Sequence, residues 1–263
     1  MNTAAIIASQ LGKRFAGRRG HGHALHESIE RLLRAPLSLA KPKTKVTEAA
    51  WALRDVSFQI APGECVGIIG HNGAGKSVLL RILARVTSPT QGEAKLRGRV
   101  AAVLDVGTGF KRELTGRENV FFQGAILGMR KREIAKKFDA IVAFSGLEEF
   151  IDLPIKGYSN GMQVRLAFAV AAHLEPEILL LDEVLAVADA EFHRACVDRL
   201  SALAREGRTI LLIAHDLEMI RELCPRVLWL EHGRVANDGQ AVKVIAQYET
   251  HVIEPVHKIK ARS

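Results

Sequence analysis

The sequence predicts an α/β fold: a mainly parallel sheet core with antiparallel strands and a helical subdomain. Three observations predict it. Residues 65–69, 177–181 and 209–214 are short apolar runs without alternation, which is how strands buried on both faces read. Segments of helical spacing separate these runs, as crossovers between parallel strands require. From 119 to 150 the pattern is helical with no strand in it, broken at Gly128 and at Ser145-Gly146.

Taken in order, residues 3–15 begin with Ala4-Ala5-Ile6-Ile7-Ala8 and end in Lys13-Arg14-Phe15, a first strand closing on an exposed aromatic. Residues 17–22 are Gly, Arg and His, a loop. Leu25, Ile29, Leu32 and Leu33 then share one helical face, and Pro36 ends or kinks that helix. Residues 41–45 are a basic connector. Residues 51–60 alternate like a strand, and Ala61-Pro62-Gly63-Glu64 turns it into the apolar run 65–69. Residues 77–85 have helical spacing, 88–92 form a turn, and 93–104 are strand-like with a turn at Gly98. A helix is expected over 161–174, another over 189–207, and a short one over 217–223 stopped near Pro225. Residues 226–236 read as a hairpin, and 241–249 as a last helix before a basic tail at 251–263.

The chain has 263 residues, 48% of them hydrophobic, enough for one large α/β domain. Cys65, Cys196 and Cys224 have no paired spacing, which argues against a disulfide frame or a zinc site. No apolar run reaches the ~18 residues of a membrane span, and the N-terminus does not read as a secretory signal. The net charge is +8, and it sits at the ends. Residues 1–50 hold nine Lys/Arg against three acids, residues 251–263 three against one, and the remainder 25 of each. Basic ends suit anionic lipid or nucleic acid, and charge alone does not choose between them.

The chemistry centres on Gly70-His71-Asn72-Gly73-Ala74-Gly75-Lys76-Ser77. Two glycines four residues apart followed by Lys-Ser fit a phosphate loop, and here the loop lies between a predicted strand and a predicted helix. Glycines let successive N–H groups turn inward onto a phosphate, and the helix N-terminus adds partial positive charge. Lys76 is expected to reach the outer phosphates and Ser77 to help hold Mg²⁺. Asp182 closes an apolar strand where the second metal-binding acid of such an ATPase belongs, and Glu183 beside it can orient or deprotonate the attacking water. His215-Asp216 follows the next strand, at the sheet edge where open parallel sheets bind ligands. Tyr158-Ser159-Asn160-Gly161-Met162-Gln163 is a polar turn before a helix that Ser159 or Asn160 can cap.

Together these motifs resemble the ATPase subunit of ABC transporters, over roughly residues 1–250. Ser159, Asn160, Gly161, Met162 and Gln163 match the family's signature, and Asp182-Glu183, Asp189 and His215 match Walker B, the D-loop and the switch histidine. Glu113-Leu114-Thr115-Gly116-Arg117-Glu118-Asn119-Val120 and the Tyr-Ser-x-Gly-Met form of the signature resemble the subfamily exporting O-antigen, teichoic acid and capsule. The resemblance implies a P-loop NTPase ABC cassette with a helical subdomain at about 113–174, binding ATP and Mg²⁺. It also implies a homodimer in which ATP lies between the phosphate loop of one copy and the signature of the other. Glu183 is then the general base, His215 holds the γ-phosphate, and a separate integral-membrane permease carries an undecaprenyl-diphosphate-linked polysaccharide. The place implied is the cytoplasmic face of the bacterial inner membrane, held peripherally, with no nucleic acid as partner.

The sequence departs from the family pattern in places. Asp105 stands at the Q-loop position, as an acid commonly does in this subfamily, and the D-loop reads Val187-Ala188-Asp189-Ala190. Either Phe15 or Trp51 is the base-stacking aromatic. Residues 16–50 form a basic insertion, and Arg31, Arg34 and 41–45 are expected to meet anionic lipid headgroups. Some O-antigen members add a carbohydrate-binding domain, for which this chain is expected to be too short. A soluble ABC-type ATPase acting on nucleic acid or ribosomes is the alternative. A GTPase or small-molecule kinase is a third reading; no Asn-Lys-x-Asp motif occurs, and the signature argues against both.

Overall fold

The structure, a computed structural model, describes residues 4–15, 51–104, 109–182, 190–214 and 216–260. The basic insertion at 16–50 lies outside them.

Nine strands form two sheets among these residues. β1 (Ile6–Arg14), β2 (Trp51–Ile60) and β4 (Gln91–Leu96) make a three-stranded antiparallel sheet in the order β2-β1-β4. β3 (Cys65–Ile69), β5 (Val100–Val103), β6 (Ile178–Asp182), β7 (Thr209–Ile213), β8 (Arg226–Glu231) and β9 (Arg234–Gln240) make the second. Its order is β5-β6-β7-β3-β8-β9, parallel except for β9, which pairs antiparallel with β8. Every residue of β3, β6 and β7 is buried. That is why these strands lack alternation in the sequence.

Alternate residues of the buried strands feed two cores. Ile178, Leu180, Leu211 and Ile213 pack with Ile6, Leu11, Leu53 and Val56 of the antiparallel sheet and with Leu79, Leu80 and Leu83 of α1 (Lys76–Leu83). Leu179, Leu181, Ile210 and Leu212 face the helices α4 (Asn160–Ala172), α5 (Ala190–Arg205), α6 (Leu217–Leu223) and α7 (Ala241–Lys260). The parallel sheet is thus covered on both faces, by helices on one and by the antiparallel sheet with α1 on the other.

The strand-like stretch 93–104 divides between the sheets. Gly98, at φ +119°, lets the chain leave β4 for β5, and a side chain there would press on Glu177 at 2.8 Å. The helical subdomain holds α2 (Gly116–Ile126) and α3 (Lys131–Ser145), with the expected breaks at Gly128 and Gly146, both at positive φ. α2 starts three residues earlier than its apolar spacing suggests, because Thr115 and Glu118 form a capping box. The last helix runs through Lys260 instead of ending at residue 249. Its packing continues past that point: His251 Nε2 lies 2.8 Å from Glu231 Oε1, and its ring sits 5.2 Å from Trp229. Cys65, Cys196 and Cys224 are buried, and the Cys65 and Cys224 sulfurs lie 3.5 Å apart. Among the described residues no helix is long and apolar enough to cross a membrane.

Candidate functional site

Gly70 to Ser77 join β3 to α1 as the motif predicts. At Gly70 (φ +147°) a Cβ would stand 2.1 Å from the Leu230 carbonyl oxygen, so β8 excludes a side chain. At Gly75 (φ +104°) a Cβ would meet the Ala52 oxygen at 2.5 Å. Both glycines are therefore needed twice over, for their dihedrals and for backbone approach. His71, Asn72 and Gly73 are exposed, while Ala74 is buried. Lys76 is only 5% exposed, and its Nζ donates to the carbonyls of Gly70 at 2.7 Å and His71 at 3.2 Å. The ammonium is thus wrapped by its own loop. Gly75, the N-cap of α1, offers no side chain to the first-turn N–H groups, which suits an anion there.

A turn outside the motif braces this loop. Gly233, between β8 and β9, donates its N–H to Ala74 O at 3.1 Å and accepts from Arg54 N at 2.8 Å. The His232 ring lies 5.1 Å from that of His71. Sequence reasoning saw only a hairpin here. The hairpin was legible in the sequence, but its contact with the loop was not, because that depends on residues far apart in the chain.

Asp182 ends β6, two strands from β3 on the same carboxyl edge, and is 8% exposed. α1 packs on β6, the strand that Asp182 closes. Asp105, Glu183, Asp189 and His215 lie outside the described residues. Asp216 is described. It caps α6, accepting from the N–H groups of Glu218 at 2.9 Å and Met219 at 3.2 Å.

The two aromatic candidates differ. Trp51 pairs with Arg14 across the antiparallel sheet and lies over Gly12, where a Cβ would sit 3.0 Å from its ring. Phe15 is 50% exposed beyond the end of β1, with the Lys13 ammonium 5.3 Å from its centroid.

Ser159 is the N-cap of α4, accepting from Met162 N at 3.2 Å, and Gln163 Nε2 donates to Tyr158 O at 3.3 Å. Asn160 is exposed, and Gly161, Met162 and Gln163 are half-buried. These hydrogen bonds lie within 158–163.

Between α2 and α3 lies an open cavity of about 600 Å³ with an apolar lining that includes Leu114, Phe121, Phe122, Ala125 and Ile134, edged by Arg117, Glu118 and Lys131.

Comparison with known proteins places these features. A family model described as ABC transporter matches residues 53–186. The O-antigen export system ATP-binding protein RfbB of Myxococcus xanthus is 40% identical over 246 residues, covering 93% of this chain and 55% of that protein. RfbB of Klebsiella pneumoniae is 43% identical over 75% of this chain and 80% of its own length. The teichoic acids export ATP-binding protein TagH of Listeria monocytogenes is 40% identical over 81% and 64% respectively. The chain therefore spans between about half and four fifths of these relatives. None of the three is named as acting on nucleic acid or ribosomes. Among solved structures, an ATP-binding cassette captured as a dimer after hydrolysis, with ADP and Pi, superposes with a TM-score of 0.70 at 22% identity. That match covers 90% of this chain and 98% of the other. An ATP-binding subunit of an ABC transporter superposes at 0.72 with 21% identity, covering 94% of each.

Proposed function

Since the chain belongs to the ABC transporter family, we propose that it is the ATP-hydrolysing subunit of an exporter of lipid-linked surface polysaccharide. The observation that carries the ATPase reading is the phosphate loop: a buried Lys76 held on loop carbonyls ahead of an uncapped helix N-terminus. ATP phosphates replace those carbonyls as partners of the ammonium, while the loop N–H groups of residues 70–76 hold the β-phosphate. Phe15, exposed and free of strand packing, stacks on the base, and Trp51 stays with the sheet.

Mg²⁺ fits the donor set. Ser77 and Asp182 are hard oxygen donors, and no group of three or more His, Cys, Asp or Glu is clustered among the described residues to cage a metal. A site with one or two protein oxygens completed by phosphate and water suits Mg²⁺. The ion would neutralise charge developing on the phosphates. Glu183 takes the proton of the attacking water and His215 contacts the γ-phosphate.

The ATP-binding cassette captured as a dimer supports a head-to-tail homodimer, where Ser159 to Gln163 of one copy close on the other's nucleotide. Asp189 serves this dimer as its D-loop residue, and Asp105 takes the Q-loop position. The permease docks on the helical subdomain, for which the cavity between α2 and α3 offers an apolar floor edged by charges of both signs, Arg117, Glu118 and Lys131. The relatives named for O-antigen and teichoic acid export support an undecaprenyl-diphosphate-linked polymer as cargo. The chain then works at the cytoplasmic face of the inner membrane, and the basic 16–50 insertion contacts anionic lipid there.

The test uses two variants. Lys76→Ala is expected to lower kcat by about 10²–10³-fold, as loss of a principal charge-stabilising donor does. Tagged Glu183→Gln, purified with ATP in mild detergent, is expected to bring down a polytopic permease. Recovery only in the soluble fraction, with nucleic acid or ribosomes bound, would refute the export reading.

A further inference from the structure

The signature does not stand on its own helix alone. The segment leading into it, 151–156, is laced backbone to backbone onto 112–117, the entry to α2. Arg117 N donates to Ile151 O at 2.8 Å, Gly116 N to Leu153 O at 3.1 Å, Ile155 N to Leu114 O at 3.0 Å and Lys156 N to Arg112 O at 3.0 Å. Arg117 also grips Asp152 through two hydrogen bonds, of 2.7 and 3.1 Å. Tyr158 closes this lacing. Its ring is 7% exposed, and its hydroxyl donates to Phe150 O at 2.6 Å. The same hydroxyl fills the space over Gly116, where a Cβ would stand 2.4 Å from it. The next residue, Ser159, caps α4, and the Tyr158 carbonyl accepts from Gln163.

We propose that Tyr158 is a positioning residue for the signature: its hydroxyl, held between the Phe150 carbonyl and Gly116, sets where Ser159 presents the N-terminus of α4 to ATP on the partner copy. This rests on the dimeric ATPase reading above. The geometry gives the hydroxyl a role beyond filling space. The Phe150 carbonyl also accepts from Leu153 N at 2.9 Å, so the phenol ties the 150–153 turn to the residue preceding the cap. Gly116 is the first residue of α2, and Arg117 and Glu118 beside it line the apolar cavity. The tie therefore joins the wall of that cavity to the signature. Burial, with Asp152 nearby, raises the phenol's pKa above its ordinary value, which keeps it a donor at neutral pH.

The test separates positioning from packing. The full chain carrying Glu183→Gln is titrated with ATP, and dimerisation is followed by size and light scattering, with and without Tyr158→Phe. Loss of one hydrogen bond is expected to raise the ATP concentration needed for dimerisation by about fivefold. A matching fall in kcat is expected in the Glu183 background, with ATP affinity of the monomer unchanged. Tyr158→Phe dimerising like its parent would overturn the inference, because the ring alone would then suffice. An equal loss of monomer ATP affinity would overturn it too, since a general loosening would explain both. Gly116→Ala approaches the contact from the other side. It is expected to weaken dimerisation, and by a smaller factor when Tyr158 is already Phe. A Cβ at 116 would also stand 2.9 Å from the Ile151 carbonyl oxygen, so part of the effect persists beside Tyr158→Phe, and an undiminished effect there counts against the tie. If Glu183→Gln alone fails to dimerise with ATP, the dimeric reading itself falls, and this inference with it.

Discussion

His173 shows what one half-buried side chain does to the whole chain's stability. It closes α4, with Nδ1 2.7 Å from Ala169 O and its ring edge-on to Phe144 at 5.6 Å. Burial holds its pKa below the ordinary value, and Arg199 and Lys137 push the same way, against the Ala169 hydrogen bond. The unfolded chain therefore binds the proton more readily. Stability from this group is present above the ordinary histidine pKa of about 6.5 and is lost as pH falls from there towards the depressed folded value. The urea midpoint is expected to drop between pH 7 and pH 5, and His173→Gln to flatten that part of the curve. A slope identical in the two proteins would assign it to other groups. Nothing in the sequence singled out this histidine, whereas Lys76 was legible because its neighbours spell out its role.

Within the helical subdomain, capping and side-chain lacing are separable in α2. Thr115 caps the helix, accepting from Glu118 N at 3.2 Å, while Glu118 Oε2 accepts from Thr115 N at 2.8 Å. Asn119, fully buried one residue later, ties down the strand-to-helix connection. Its Nδ2 donates to the carbonyls of Lys111, Leu114 and Thr115, and its Oδ1 accepts from Lys111 N. Thr115→Ala is expected to cost about 1 kcal/mol, the usual worth of a cap. Asn119→Ala leaves several backbone groups without partners and is expected to cost at least about 2 kcal/mol. Urea unfolding of both variants measures the difference, and equal losses would mean water satisfies the orphaned groups. The capping box is visible in the sequence as Thr-x-x-Glu. The reach of Asn119 back to Lys111 is not, because it depends on how the connection folds over the helix.

Across the molecule, an aromatic cluster joins the helical subdomain to the layer on the sheet. Phe168 of α4 is 1% exposed and meets Phe144 of α3 at 6.1 Å and Phe192 of α5 at 6.0 Å. Arg165 places its guanidinium 5.1 Å over the Phe192 ring and donates to Ser145 O. Phe168→Ala is expected to cost about 3–5 kcal/mol, as truncation of a buried aromatic does. Because this cluster belongs to the core that also holds Trp229, far-UV dichroism and tryptophan emission are expected to shift together. Separate midpoints would show that the helical subdomain melts by itself.

The phosphate loop, the buried strands and the breaks at Gly128 and Gly146 were all legible in the sequence. Each depends on neighbours in the chain: glycines admitting positive φ, Lys-Ser at the start of a helix, apolar residues without alternation. What the tertiary structure decided involves residues far apart. It set β3 between β7 and β8, sent β4 and β5 to different sheets, and laid Trp51 over Gly12 while leaving Phe15 exposed. It also put Gly233 against Ala74 and the Tyr158 hydroxyl over Gly116. Local dihedral preference and periodicity act over a few residues. Strand order and close backbone approach come from packing two faces of one sheet at once, which no single stretch of sequence contains.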